Sequence, residues 1–179
     1  MSDNTILKVE NLKTSFPTRR GVFKAVDDVS FTLERGRTLA IVGESGSGKS
    51  VTARSILQIV DHPGRIEGGA IQFTRADGST VDIATLDPRG RAIRHIRGKE
   101  IAMIFQEPMS SLSPVHRVGD QIGEALRIHQ KISRSDERLR VIELLKQVEI
   151  PNPETAIDRY TFEFSGGMRQ RVMIAMALA

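Results

Sequence analysis

The chain has 179 residues, 39% apolar and 27% charged, a globular balance large enough for one domain with a real core or a domain plus a small lobe. Twenty-six Lys and Arg against 22 Asp and Glu leave a formal charge of +4, a modest excess that suits anionic lipid or a nucleotide and does not by itself indicate nucleic acid. The absence of cysteine excludes disulfides and thiolate metal sites, the opening MSDNTILKVE carries no basic-then-apolar leader pattern, and no apolar run approaches the ~18 residues of a membrane span.

Residues 6–12 (ILKVENL) read as a short strand, and VSFTL at 29–33 puts Val29, Phe31 and Leu33 on one face of another. Between them FPTRRGVF reads as a loop or hairpin tip, broken by Pro17 and Gly21. TLAIVG at 38–43 is a short apolar run ending in glycine, the pattern of a strand buried on both faces. SVTARSILQIV at 50–60 then predicts a helix with Ala53, Ile56, Leu57 and Val60 on one side.

AIQF and TVDI read as short strands around the turn ADGS. DPRGRAIRHIRG at 87–98 predicts a short helix, on which Arg91, Arg94 and Arg97, with Lys99, form a solvated basic face. EIAMIFQ at 100–106 reads as a second buried strand ending at Gln106 and followed by Pro108.

Helices dominate beyond that point. VGDQIGEALRIHQ spaces Val118, Ile122 and Leu126 by four. DERLRVIELLKQV spaces Leu139, Ile142, Leu145 and Val148 by three, flanked by Val141 and Leu144, with Ser133 and Asp136 as a capping box and Pro151 as the stop. SGGMRQRVMIAMALA at 165–179 reads as a glycine turn entering a last helix, with Met168, Met173 and Met176 as packing residues. The histidines (His62, His95, His116, His129) show no metal-ligand spacing.

Gly43-Glu44-Ser45-Gly46-Ser47-Gly48-Lys49-Ser50 fits G-x-x-x-x-G-K-[ST] between a predicted strand and a predicted helix. The glycines let backbone N–H groups wrap an anion, and the helix adds the positive end of its dipole. Lys49 can reach the β- and γ-phosphates of a nucleoside triphosphate, and Ser50 is placed to ligate Mg²⁺. No guanine-reading N-K-x-D pattern is present, which favours ATP.

The order of GESGSGKS at 43–50, Gln106 at a strand end and SGGMRQ at 165–170 resembles the ATP-binding subunit of ABC transporters, over essentially the whole chain. AVDDVSF, GESGSGKSVTARSI, IAMIFQEPMSSLSP and FSGGMRQRVMIAMALA resemble the peptide/nickel importer branch, the oligopeptide and dipeptide permeases of bacteria. The resemblance implies an α/β P-loop ATPase core with an N-terminal antiparallel β subdomain and an α-helical subdomain. Its implied organisation is an ATP-binding core over 1–106, a helical subdomain over 107–164, and the signature with the start of its helix over 165–179.

Several roles follow from the resemblance alone. The nucleotide-binding set is Gly43 to Val51 (Gly43, Glu44, Ser45, Gly46, Ser47, Gly48, Lys49, Ser50, Val51) with Gln106, which also sits by Mg²⁺ and the attacking water. Lys49 and Gln106 serve catalysis, and Ser50 and Gln106 the metal. Phe16 stacks on adenine, with Phe23 as the alternative. Ser165, Gly166, Gly167 and Met168 contact the nucleotide of a second ATPase subunit, homo- or heterodimeric, in trans. The remaining expected partners are two transmembrane permease subunits and, indirectly, an extracytoplasmic solute-binding protein, with the chain peripheral on the cytoplasmic face of the bacterial inner membrane and no nucleic acid bound. A soluble ABC ATPase acting on nucleic acid or ribosomes, and a non-catalytic nucleotide-binding fragment, are the alternatives. The family's Walker B Asp, catalytic Glu and switch His follow the signature helix and have no counterpart up to Ala179. The chain is therefore expected to be the N-terminal portion of a longer ATPase, binding ATP weakly at best and not turning it over.

Overall fold

A computed structural model describes residues 4–106 and 111–179; Pro108 and the first half of EPMSSLSP lie outside the described residues. The chain divides into two compact units, Met1–Arg97 and Gly98–Ala179.

The first unit is built on a four-stranded antiparallel sheet, ordered β2-β1-β3-β4, with β1 Thr5–Thr18, β2 Gly21–Glu34, β3 Arg65–Thr74 and β4 Thr80–Asp82. Alternation puts Leu7, Val9, Ile71 and Phe73 on the buried side, at register pairs Leu7↔Phe73 and Val9↔Ile71. The strands run further than the sequence pattern suggests. Of the two readings of FPTRRGVF, the hairpin tip holds: pairing continues through Phe16↔Phe23 and Pro17↔Val22 to Thr18↔Gly21, leaving a turn at Arg19 and Arg20. Pro17 is tolerated because pairing with β3 stops at Ser15↔Arg65, so only β2 flanks it.

Helix α1, Lys49–Ile56, lies against β1 and β2. Its buried residues are Thr52 and Ser55 rather than Ala53 and Ile56, and the buried hydroxyls of Ser55 and Thr14 are 2.8 Å apart. The helix stops short of Val60 because Gln58 takes a left-handed backbone (φ 51°). Gln58 N–H then bonds Ser55 O (2.9 Å) and Ile59 N–H bonds Arg54 O (2.9 Å), the paired bonds of a Schellman end.

Helix α2, Arg91–Ile96, buries Ile93 and Ile96. Arg91 and Arg94 face solvent as expected. Arg97 does not: its guanidinium donates to Leu57 O (2.7 Å), Gln58 O (2.8 Å) and Pro88 O (3.0 Å).

Two expected strands are not strands. Residues 37–44 and 102–105 belong to no ladder among the described residues. Leu39, Ile41 and Val42 are 43%, 47% and 88% exposed. A strand exists through its neighbour's hydrogen bonds, and an apolar run alone cannot supply them.

The second unit is helical: α3 Val118–His129, α4 Arg134–Gln147, α5 Pro153–Ala156 and α6 Gly166–Leu178. Its core joins Val118, Ile122 and Leu126 of α3 to Val141, Leu144 and Leu145 of α4 and Val172 and Ala175 of α6. The α3 stripe is the expected one. On α4, Leu139 is 62% exposed, whereas Leu145 is buried with the flanking Val141 and Leu144, and Ile142 and Val148 pack against the core. Ser133 caps α4, its Oγ accepting from Asp136 N–H at 3.2 Å. The stop precedes Pro151: Glu149 is left-handed (φ 56°), and Glu149 N–H and Ile150 N–H bond Lys146 O and Leu145 O, both at 2.9 Å. Arg171 of α6 donates to Val148 O (3.2 Å) and Glu149 O (2.9 Å) at the same end.

Candidate functional site

Residues 43–47 leave the 37–44 segment and turn into α1, which begins at Lys49. Gly48 is the N-cap, with φ 90° and ψ −1°. A Cβ there would lie 2.3 Å from Ala25 O, so only glycine fits both the backbone and the approach to β2. At Gly43 a Cβ would come within 2.7 Å of Ser47 Oγ. The loop closes too tightly for a side chain at Gly48, whereas at Gly43 the Ser47 hydroxyl would have to turn aside.

Lys49 folds back over the loop. Its Nζ donates to Gly43 O (2.8 Å), Glu44 O (2.6 Å) and Ser47 Oγ (3.2 Å). These acceptors are neutral oxygens, whereas an ammonium bonds most strongly to anionic ones. The first turn of α1 contains no acidic residue, so its dipole end and free N–H groups are left uncompensated by the helix itself. Residues 43–47 and Ser50 are exposed, and Gly48, Lys49 and Val51 are half-buried. Loop, ammonium and helix end together form an accessible anion cradle, which fits the triphosphate of a nucleotide.

Phe16 and Phe23 are cross-strand partners, and Phe23 lies two residues from Ala25, the residue against Gly48. That separation is about 7 Å along the strand. Phe16 is half-buried against Val60 and Gly64: a Cβ on Gly64 would lie 2.4 Å from the Phe16 ring. Phe23 is 58% exposed. The first unit thus brings together 43–51 and both aromatic candidates.

Gln106 belongs to the second unit and is exposed at the end of 102–105. Ser165 is the N-cap of α6, its Oγ accepting from Met168 N–H at 3.3 Å. Gly166 and Gly167 are exposed, and a Cβ on either would meet nothing within 4 Å. Neither has a positive φ, so nothing inside the chain requires glycine there. Met168 is half-buried and packs on the helical core. Arg169 Nε donates to Thr161 O (2.8 Å), tying α6 to the segment before it.

Sequence reasoning did not find Arg97 and Arg171 as helix-end donors. Their carbonyl partners lie about 40 and 23 positions away in the chain, beyond any local pattern.

The family profile "ABC transporter" matches residues 26–179. The dipeptide transport ATP-binding protein DppD of Haemophilus influenzae is 46% identical, over 97% of this chain and 51% of its own length. The glutathione import ATP-binding protein GsiA of Pectobacterium atrosepticum is also 46% identical, over 100% of this chain and 29% of its own. The chain thus spans about half or less of the length of these relatives. Among solved structures, a dimeric post-hydrolysis state of the ATP-binding cassette MJ0796, bound to ADP and Pi, superposes with a TM-score of 0.81 at 25% identity, covering 97% of this chain and 69% of that one. With the glycine-rich loop at the start of α1, the antiparallel sheet and the helical unit described, the chain belongs to the ABC transporter family.

Proposed function

We propose that this chain is the nucleotide-gripping part of an ATP-hydrolysing subunit that powers a bacterial importer of peptides or related small solutes. The observation that carries the reading is Lys49, an ammonium held on neutral oxygens of its own loop at the open end of a helix. In this reading it exchanges those oxygens for the β- and γ-phosphates of ATP, and Gly43 to Val51 supply the surrounding N–H groups. Ser50, with Gln106 as the further residue the family resemblance implies, would hold Mg²⁺, which would offset the charge of the phosphates. Among the described residues no group of three His, Cys, Asp or Glu could hold a metal without the nucleotide. Phe16 takes the adenine.

The open space before Gly166 and Gly167 supports a contact from outside the chain. In this reading Ser165 to Met168 close on the nucleotide of a second ATPase subunit. No described helix is long and apolar enough to cross a membrane. In this reading two permease subunits hold the chain at the cytoplasmic face, and a solute-binding protein delivers the cargo. The similarity to dipeptide and glutathione import proteins supports peptide-like cargo.

Co-expression of the whole subunit that carries this chain with the two permease subunits, and reconstitution into vesicles, tests this. ATP-dependent uptake of a labelled dipeptide or of glutathione, abolished by Lys49→Ala, is the expected result. Retention on nucleic acid with no association with membrane subunits would contradict it and favour the soluble alternative.

A further inference from the structure

The helix that carries Lys49 is short. Eight residues span about 12 Å, and a helix of two turns is marginal without tertiary support. Its position is set by what holds its ends and its middle. Gly48 presses on Ala25 at the start, and Ser55 pairs with Thr14 through buried hydroxyls. At the far end, Gln58 Nε2 bonds Ile83 O and, at 3.1 Å, Leu86 O.

Arg97 completes that far end. Nε and Nη2 take the carbonyls of Leu57 and Gln58, the last two oxygens of the Schellman turn, while Nη1 reaches Pro88 O. The fork geometry of a guanidinium serves all of these at once, and a lysine could not. The cation also stands at the negative end of the α1 dipole, opposite the end that takes an anion. Burial, with Arg94 beside it, pushes the guanidinium below its usual value, as befits a charge drawn out of water to meet carbonyls. Arg91 and Arg94, on the same helix, remain in solvent.

We propose that Arg97 is a positioning residue for the phosphate loop: by clamping the C-terminal end of α1 to the turn before α2, it fixes the axis and depth of the helix whose first residue is Lys49. This rests on reading 43–50 as the nucleotide site. Releasing the clamp lets α1 tilt and moves the loop by a fraction of an ångström to an ångström, enough to weaken a grip built from several oriented N–H groups.

Titration of Mg-ATP and of inorganic tripolyphosphate against the chain, well below the melting temperature of every variant, tests this. Arg97→Gln is expected to weaken both ligands by about tenfold or more, and Arg97→Lys, which keeps the charge and loses the fork, by several-fold. Equal loss for tripolyphosphate and ATP locates the effect at the phosphates. Arg94→Ala is expected to leave both affinities unchanged. Arg171→Ala, which removes the same kind of helix-end donor from α4, is expected to lower the melting temperature and leave both affinities unchanged. Should Arg97→Gln not fold, Arg97→Lys carries the test alone. Wild-type affinity in a folded Arg97 variant that has lost only melting temperature overturns this proposal and spares the nucleotide site. Absence of phosphate-dependent binding in the wild-type chain overturns both.

Discussion

Gly48 and Gly166 look alike in sequence, each opening a helix, but answer to different constraints. Gly48 has a left-handed backbone and a Cβ position 2.3 Å from Ala25 O. Gly48→Ala is therefore expected to cost about 2–4 kcal/mol in chemical denaturation, combining backbone strain with the clash. Gly166 has open space before it and no positive φ. Gly166→Ala is expected to leave stability within about 0.5 kcal/mol of wild type, or raise it, because alanine favours the helix. The same substitution is expected to abolish ATP hydrolysis in the assembled transporter. Equal destabilisation by both would show that Gly166 serves the fold rather than a contact from outside. At this scale the sequence is most informative. The Gly, Lys and Ser of 43–50 stand where anion binding needs them, and that need is local. The partners of Arg97 are not local, and its place in R-x-x-R-x-x-R suggests only a solvated stripe.

At the scale of elements, apolar periodicity identified the α3 stripe and, Leu139 apart, that of α4. In DERLRVIELLKQV, Leu145 is buried and Ile142 and Val148 pack against the core, while Leu139 turns out to solvent. Packing against α3 and α6 centres the buried face on Leu145 with the flanking Val141 and Leu144. Leu139→Lys is accordingly expected to change stability by less than about 0.5 kcal/mol, and Leu144→Ala to cost about 2–5 kcal/mol, read from denaturation midpoints. The reverse ranking would restore the stripe through Leu139. The strands show the same division. β1 and β2 are longer than predicted because a hairpin register carries Phe16 and Pro17 along with it. TLAIVG has the composition of a buried strand, yet no ladder forms there among the described residues. Composition reports what a segment could bury, and hydrogen-bonding neighbours decide whether it becomes a strand. The start of α4 was legible at Ser133, where a side-chain cap is local. Helix ends were missed at Gln58 and Glu149, where non-glycine residues take the left-handed position.

Across the whole molecule, the first unit carries the glycine-rich loop proposed to hold phosphates, with its aromatic candidates, and the second carries Gln106 and the glycine-opened helix α6. Family membership was legible from the order of three short motifs, since each keeps its spacing whatever the surrounding strands do. The central claim is that residues 43–50 hold the phosphates of a nucleotide through Lys49. Titration of a fluorescent ATP analogue with Mg²⁺ against the wild-type chain and Lys49→Ala measures it directly. Saturable binding that ATP competes away, weakened by about tenfold or more in Lys49→Ala while the fold is retained, is the predicted result. Equal affinity in the two proteins, or no competition by ATP at millimolar concentration, would contradict it.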